Sequence, residues 1–246
     1  MSVDTPDELS ALKAAGRVVA ETIRAMRRAV RPGITTAELD AIAARAFARA
    51  GARSGPALDY NFPGTTCISV NDEAVHGIPG RRRLRRGDLV KLDVTAELDG
   101  FYADACRTVI VGDPRPQSVR LVRAAEQALS AAMKVARAGV PLNSIGATVE
   151  KTVHKRGFSV CDGLMGHGIG RRIHESPDVP NTFERALSAP LTEGLVITVE
   201  PLVAAGGPAV VLGLDGWTVR TADASLVAHA EHTLVVQEGA PLVLTA

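Results

Sequence analysis

The segment Lys91-Leu92-Asp93-Val94-Thr95-Ala96-Glu97-Leu98-Asp99-Gly100-Phe101-Tyr102-Ala103-Asp104 brings two carboxylates within reach of one another. Asp99-Gly100 is a dipeptide that two-residue hairpin turns prefer, so the flanking runs should pair with Leu98 opposite Phe101 and Thr95 opposite Asp104. Asp93 shares a strand face with Thr95 and so becomes the diagonal neighbour of Asp104, at roughly 7–8 Å between backbones. Two carboxylates on one sheet face repel and are costly to bury unless a cation neutralises them. The arrangement therefore points to metal.

Three more side chains join this reading. His167 stands in Gly166-His167-Gly168-Ile169-Gly170, where the glycines leave it uncrowded and free the backbone to turn; alone, such a histidine either binds metal or fills a turn. Glu200 closes the apolar run Leu195-Val196-Ile197-Thr198-Val199 and precedes Pro201, and is either solvent-facing at a strand edge or buried with a partner. Glu231 heads the strand-like run His232-Thr233-Leu234-Val235-Val236, where an ordinary exposed strand residue is the plain alternative. Taken together, four carboxylates and one imidazole offer an oxygen-rich set for two divalent ions such as Mn(II), Fe(II), Co(II), Ni(II) or Zn(II). Metals that require thiolates do not suit it.

Positioning these residues takes a set of helices and strands that the sequence repeats. Arg31-Pro32-Gly33-Ile34-Thr35-Thr36 has a counterpart in Arg137-Ala138-Gly139-Val140-Pro141-Leu142, and Gly51 has one in Gly157. Thr35 and Glu38 form a capping box, and Leu39, Ile42, Ala43, Ala46, Phe47 and Ala50 follow helical spacing, predicting an amphipathic helix over 36–50. Its counterpart carries Ile145, Val149 and Val153. Each is preceded by a longer helix, one marked by Leu12, Val19, Ile23 and Met26 and the other by Leu121, Ala125, Ala128 and Ala132. Strand-like runs end each half: Ile68–Val70, Leu89–Glu97 and Phe101–Val111, then Leu195–Glu200, Ala209–Leu212 and Glu231–Val236. The expectation is one α/β (α+β) catalytic domain over 1–246, an internal duplication with halves at about 8–111 and 115–240, and the site at their junction.

Composition narrows the function classes. The chain has 246 residues and is 46% hydrophobic, enough for a sizeable core, and no apolar stretch approaches the ~20 residues that span a bilayer. Three dispersed cysteines, Cys67, Cys106 and Cys161, fit neither a disulfide framework nor a structural zinc site and are expected to be reduced, in the cytoplasm. The net charge of +1 provides no global field for nucleic acid, and no specific DNA partner is expected. Five arginines do cluster at Arg81-Arg82-Arg83-Leu84-Arg85-Arg86, either as a solvated loop before a strand or as a contact for ribosomal RNA.

In order and spacing, His76-Gly77-Ile78-Pro79, the Asp93–Asp104 hairpin, Gly166-His167-Gly168-Ile169-Gly170, His174-Glu175-Ser176-Pro177, Thr198-Val199-Glu200-Pro201 and Glu231-His232-Thr233 resemble the type I methionine aminopeptidases of peptidase family M24. The resemblance covers nearly the whole chain, from about Thr5 to about Val236. It implies the pita-bread, or creatinase-like, fold with a pseudo-twofold internal duplication. It further implies that Asp93, Asp104, His167, Glu200 and Glu231 hold two divalent metal ions, with Asp104 and Glu231 bridging. Glu200 would act as proton carrier, His76 would contact substrate near the scissile bond and His174 would stabilise the oxyanion. Cys67, Phe62 and Trp217 resemble residues that line the methionine pocket, where sulfur and aromatic edges attract, although plain core packing is the alternative for each. The chain departs from the family pattern in the loop Leu58-Asp59-Tyr60-Asn61-Phe62-Pro63, with Asp59 where a tyrosine is common, and in Ile173 where a phenylalanine precedes His174.

The implied activity is removal of the initiator methionine from nascent polypeptides with a small second residue, by a monomer of the short bacterial form; a docking site at the ribosome is a further hypothesis. Three other readings compete: a proline-directed peptidase of the same fold, such as aminopeptidase P or prolidase; a slow paralogue of altered specificity; and a binding module without catalysis. The first is disfavoured by Asp93-Val94-Thr95 in place of Asp-x-Gly, the last by the presence of every ligand together with His76 and His174.

Overall fold

Asp99 and Gly100 both take positive φ, 51° and 81°, which matches the right-handed twist of the strands they join. They turn Leu89–Leu98 back on itself as Phe101–Ile110, with Leu98 opposite Phe101, Thr95 opposite Asp104 and Asp93 opposite Cys106. On its other edge Leu89–Leu98 pairs with Cys67–Val70 at one end and Arg53–Ser54 at the other. The computed structural model describes all residues, Met1–Ala246.

Two helices cover this first sheet. The first, α1 (Pro6–Ala29), is capped by the Thr5 hydroxyl and carries proline at its start; the second, α2 (Thr36–Ala50), has the predicted capping box and ends on left-handed Gly51. Their apolar stripes and the sheet enclose a core of 19 buried residues that includes Val19, Met26, Leu39, Phe47, Val90, Leu92 and Val94. A short helix, α3 (Gly55–Tyr60), lies between this pair and the sheet's next strand.

The second half repeats the plan with α4 (Pro116–Val135) and α5 (Asn143–His154) packed over their own core of 23 buried residues. Its largest sheet runs in the order Leu242–Val243, His232–Val235, Val196–Val199, Gly166–Gly168, Glu175–Val179. Two three-stranded sheets complete the fold: Val227–His229 with Leu202–Ala204 and Ser159–Val160, and Val210–Leu212 with Val219–Thr221 and Glu73–Val75. Their strands have two or three residues each, too few to show an alternating pattern, and most of them escape a reading of the sequence.

Gly166 and Gly168 are strand residues, not turn residues. A Cβ on Gly168 would lie 2.2 Å from the carbonyl oxygen of Ser176, and one on Gly166 would lie 2.6 Å from that of Thr198. The glycines are needed because neighbouring backbones close on both sides of His167.

The halves are stitched at several points. Arg107 and Ala230 form a β-bridge, the Glu231 N–H donates to Cys106 O at 3.0 Å, and the Thr233 hydroxyl donates to Asp104 O at 2.7 Å. Lys91, 1% exposed, donates from Nζ to Asn71 O in the first half at 2.8 Å and to Val227 O in the second at 3.2 Å. The arginine run is largely tied down: Arg82 pairs with Glu73, Arg86 with Asp113, and Arg83 donates to Gly33 O.

Burial lowers the Lys91 pKa from 10.5 to about 8, with the nearby Glu73 charge opposing. Between those values the unfolded chain binds more protons than the folded one, so this side chain makes stability rise with pH from about 8 to 10.5. In urea titrations across that range, the stability of wild type relative to Lys91→Met should increase as pH rises; parallel curves would contradict the assignment.

Candidate metal centre and active site

Asp93 and Asp104 project from one face of the hairpin, as their diagonal register requires. The opposite wall comes from the second half. His167 stands in Gly166–Gly168, Glu200 lies one residue beyond Val196–Val199, and Glu231 immediately precedes His232–Val235. Ligand atoms of Asp104, His167 and Glu231 all lie within 4.8 Å of one another. His167 Nε2 is 3.6 Å from Glu200 Oε1.

Hydrogen bonds from neighbouring threonines fix these positions. Thr198 accepts from the His167 N–H at 3.0 Å and donates to Glu200 Oε1 at 3.1 Å, while Thr233 accepts from the Asp104 N–H at 2.9 Å. His167 Nδ1 lies 2.9 Å from Gly168 O. A carbonyl only accepts, so Nδ1 carries the proton and the Nε2 lone pair faces the carboxylates.

The electrostatics of the cluster are severe. Burial pushes the Glu200, Glu231 and Asp93 carboxyls well above the usual carboxylate range, and neighbouring carboxylates push the same way. Asp104 is raised to about 6, again by burial. Burial also lowers His167 to about 3, keeping its imidazole neutral. Asp104 Oδ1 is buried with no hydrogen-bond partner. Four crowded carboxylates, a neutral imidazole aimed at them and an orphaned oxygen together fit divalent cations, whose charge would offset the repulsion and whose coordination would satisfy the oxygen.

Above the carboxylates lies a cleft of about 400 Å³ whose walls include every residue assigned a site role from the sequence: Phe62, Cys67, His76, Asp93, Asp104, His167, His174, Glu200, Trp217 and Glu231. Phe62 and Trp217 meet edge to face, with centroids 5.2 Å apart. His174 packs edge-on against His167 at 4.2 Å, and its Nδ1 is 2.7 Å from the Tyr60 hydroxyl. His76 is held at positive φ, 56°. Burial in the cleft lowers the pKa of both His76 and His174, so each imidazole is neutral at pH 7.

Asp59 and Ile173 are joined to each other. Asp59 Oδ1 accepts from the Tyr102 hydroxyl at 2.9 Å and Oδ2 from the Ile173 N–H at 3.2 Å, so the carboxylate braces the segment leading to His174. Ile173 lines the cleft; Asp59 stands outside its wall. Sequence reasoning missed Tyr60, the two threonines and, above all, His229, which is 2% exposed behind Glu200 and Glu231. The only signal for His229 was its place two residues before Glu231 on a short apolar strand.

Residues 10–238 match the description of metallopeptidase family M24. A methionine aminopeptidase of Staphylococcus epidermidis is 42% identical over 247 residues, covering all of this chain and 98% of that one. The chain belongs to metallopeptidase family M24, among its methionine aminopeptidases. The methionine aminopeptidase of Escherichia coli is 38% identical, covering all of this chain and 94% of its own length. The crystal structure of the Rickettsia prowazekii methionine aminopeptidase superposes with a TM-score of 0.96 at 36% identity and full coverage of both chains. A prolidase from Pyrococcus furiosus has a TM-score of 0.81 at 22% identity, over 99% of this chain and 65% of that one, a likeness that shows the shared pita-bread fold alone. M24 membership makes this chain a metallopeptidase, and its buried carboxylate cluster is where divalent metal fits.

Asp104 groups tightly with His167 and Glu231 and has an unpartnered carboxylate oxygen, so Asp104→Asn should cut metal content measured by elemental analysis and abolish peptidase activity. Near-normal turnover and metal content would remove Asp104 from the metal centre.

Proposed function

We propose that this chain removes the amino-terminal methionine from nascent proteins and peptides whose second residue is small, with two divalent ions held by Asp93, Asp104, His167, Glu200 and Glu231. The observation that carries this reading is the convergence of those five side chains with His76 and His174 on one cleft, in a chain whose relatives over their full length are methionine aminopeptidases.

When bound, the ions would supply Lewis-acid activation of a water and of the scissile carbonyl, and a seat for the free amine. The protein's own groups do the rest. Glu200 is held by Thr198 at the edge of the cluster, where it accepts the water's proton and passes it to the leaving nitrogen. The Tyr60 hydroxyl donates to His174 Nδ1, which places the remaining imidazole proton on Nε2, directed at the developing oxyanion. His76, held at positive φ in the cleft wall, contacts the substrate beside the scissile bond. Cys67, Phe62 and Trp217 form the receptacle for the methionine side chain, whose thioether gains from aromatic edges. Asp104 and Glu231 would help hold the ions together with Asp93, His167 and Glu200.

The working unit is one domain acting as a monomer in the cytoplasm. No helix is long and apolar enough to cross a membrane. Arg81 and Arg85, exposed beside their paired neighbours, are the candidates for contact with the ribosome.

Chelator-stripped protein should release no methionine from Met-Ala-Ser and should do so once Co(II) or Mn(II) is restored, with Ala-Pro peptides untouched. Failure of folded, metal-loaded protein to cleave Met-Ala-Ser overturns the proposal. Tyr60→Phe should lower kcat about fivefold, the loss expected for a hydrogen bond worth about 1 kcal/mol, with metal content unchanged; an unchanged kcat would detach Tyr60 from the mechanism.

A further inference from the structure

We propose that His229 is a positioning residue of the metal centre, its Nε2–H shared between the carboxylates of Glu200 and Glu231 from behind. The inference rests on the proposed metal site and adds a group to it that is not one of its five ligands.

His229 closes the strand Val227–His229, where its main chain pairs with Leu202 of the neighbouring strand and its N–H donates to the Thr108 hydroxyl at 2.8 Å. The side chain is 2% exposed, and neither ring nitrogen has a hydrogen-bond partner. Buried polar groups without partners are rare, and an imidazole with both nitrogens orphaned needs a physical reason. The surroundings supply one. Nε2 lies 3.6 Å from Glu200 Oε2 and 3.8 Å from Glu231 Oε2, and these three ligand atoms fall within 4.8 Å of one another.

Two roles are open to such a nitrogen: a metal ligand through its lone pair, or a donor through its proton. The contrast with His167 decides between them. His167 Nε2 sits at the same 3.6 Å from the other oxygen of Glu200, but its Nδ1 proton is committed to Gly168 O, leaving Nε2 as a lone pair. His229 Nδ1 meets no acceptor. A neutral imidazole has one proton to place, and the carboxylates of Glu200 and Glu231 face Nε2 while Nδ1 has no partner. With the proton there, closing the gap by less than 1 Å makes a forked hydrogen bond to both carboxylates. With the proton on Nδ1, a lone pair would confront two carboxylates and an N–H would stay buried and unpaired. Outer partners of this kind orient metal-binding carboxylates, and their loss typically costs about 10–100-fold in metal affinity.

The test uses Co(II) as probe, binding to chelator-stripped full-length wild type, His229→Leu and His229→Gln by calorimetry and visible absorption, with thermal melts of the metal-free proteins to establish folding. Leucine should weaken Co(II) binding about 10–100-fold. Glutamine, whose amide can still donate, should restore affinity to within a few-fold and keep the wild-type cobalt spectrum. Equal affinity in wild type and His229→Leu overturns the proposal. So does a His229→Gln protein that binds as weakly as leucine with an altered spectrum, because that identifies a lost ligand. Wild type that binds no Co(II) overturns instead the metal reading beneath it. Should the leucine variant not fold, nitrogen-15 spectra of Zn(II)-loaded wild type decide the matter, with the His229 signals assigned by their loss in His229→Gln. A protonated Nε2 supports the proposal, and a metal-bound or bare Nε2 refutes it.

Discussion

Four carboxylates packed into one buried cluster repel each other, and the protein must hold them there. Much of the fold reads as an answer to that demand. Asp93 and Asp104 cannot move apart without unpairing ten residues of each hairpin strand. His167, Glu200 and Glu231 stand in or beside three consecutive strands of one sheet, each anchored by a threonine or by main-chain hydrogen bonds to the other half. Rigid elements are used because a loop would relax and let the charges separate. Divalent cations turn the same crowding from a penalty into affinity.

Where sequence and structure agree, the determining physics is local. The Asp99-Gly100 turn sets its own register, and with it the diagonal placement of the two aspartates, through backbone chemistry confined to four residues. The capping box at Thr35 and Glu38 and the apolar stripes of the four long helices are equally local. The α/β architecture and the two aspartates could be named for that reason, whereas His76, His174, Cys67, Phe62 and Trp217 were named only through the resemblance of the motifs.

What stayed hidden depends on distant parts of the chain meeting. The glycines around His167 resemble turn residues until the carbonyls of Ser176 and Thr198 are seen pressing on them. Strands of two or three residues, such as Glu73–Val75 and Val227–His229, exist because a neighbour pairs with them and leave no periodic trace. The run of five arginines reads from sequence as a solvated loop or a contact for ribosomal RNA, and only the fold brings Glu73 to Arg82 and Asp113 to Arg86. His229 had the profile of an ordinary core histidine, and only the absence of any partner for its nitrogens sets it apart.

The division of the cluster between the two halves has a consequence for synthesis and damage. Asp93 and Asp104 belong to the first half and His167, Glu200 and Glu231 to the second, and each half also packs its own core. A truncated or nicked chain can therefore retain a compact hydrophobic unit while lacking one wall of the centre. Such a fragment would lack two or three of the five side chains proposed to hold metal, so hydrolysis at this site would begin only once both halves are joined. Folding and the onset of hydrolysis are then one event.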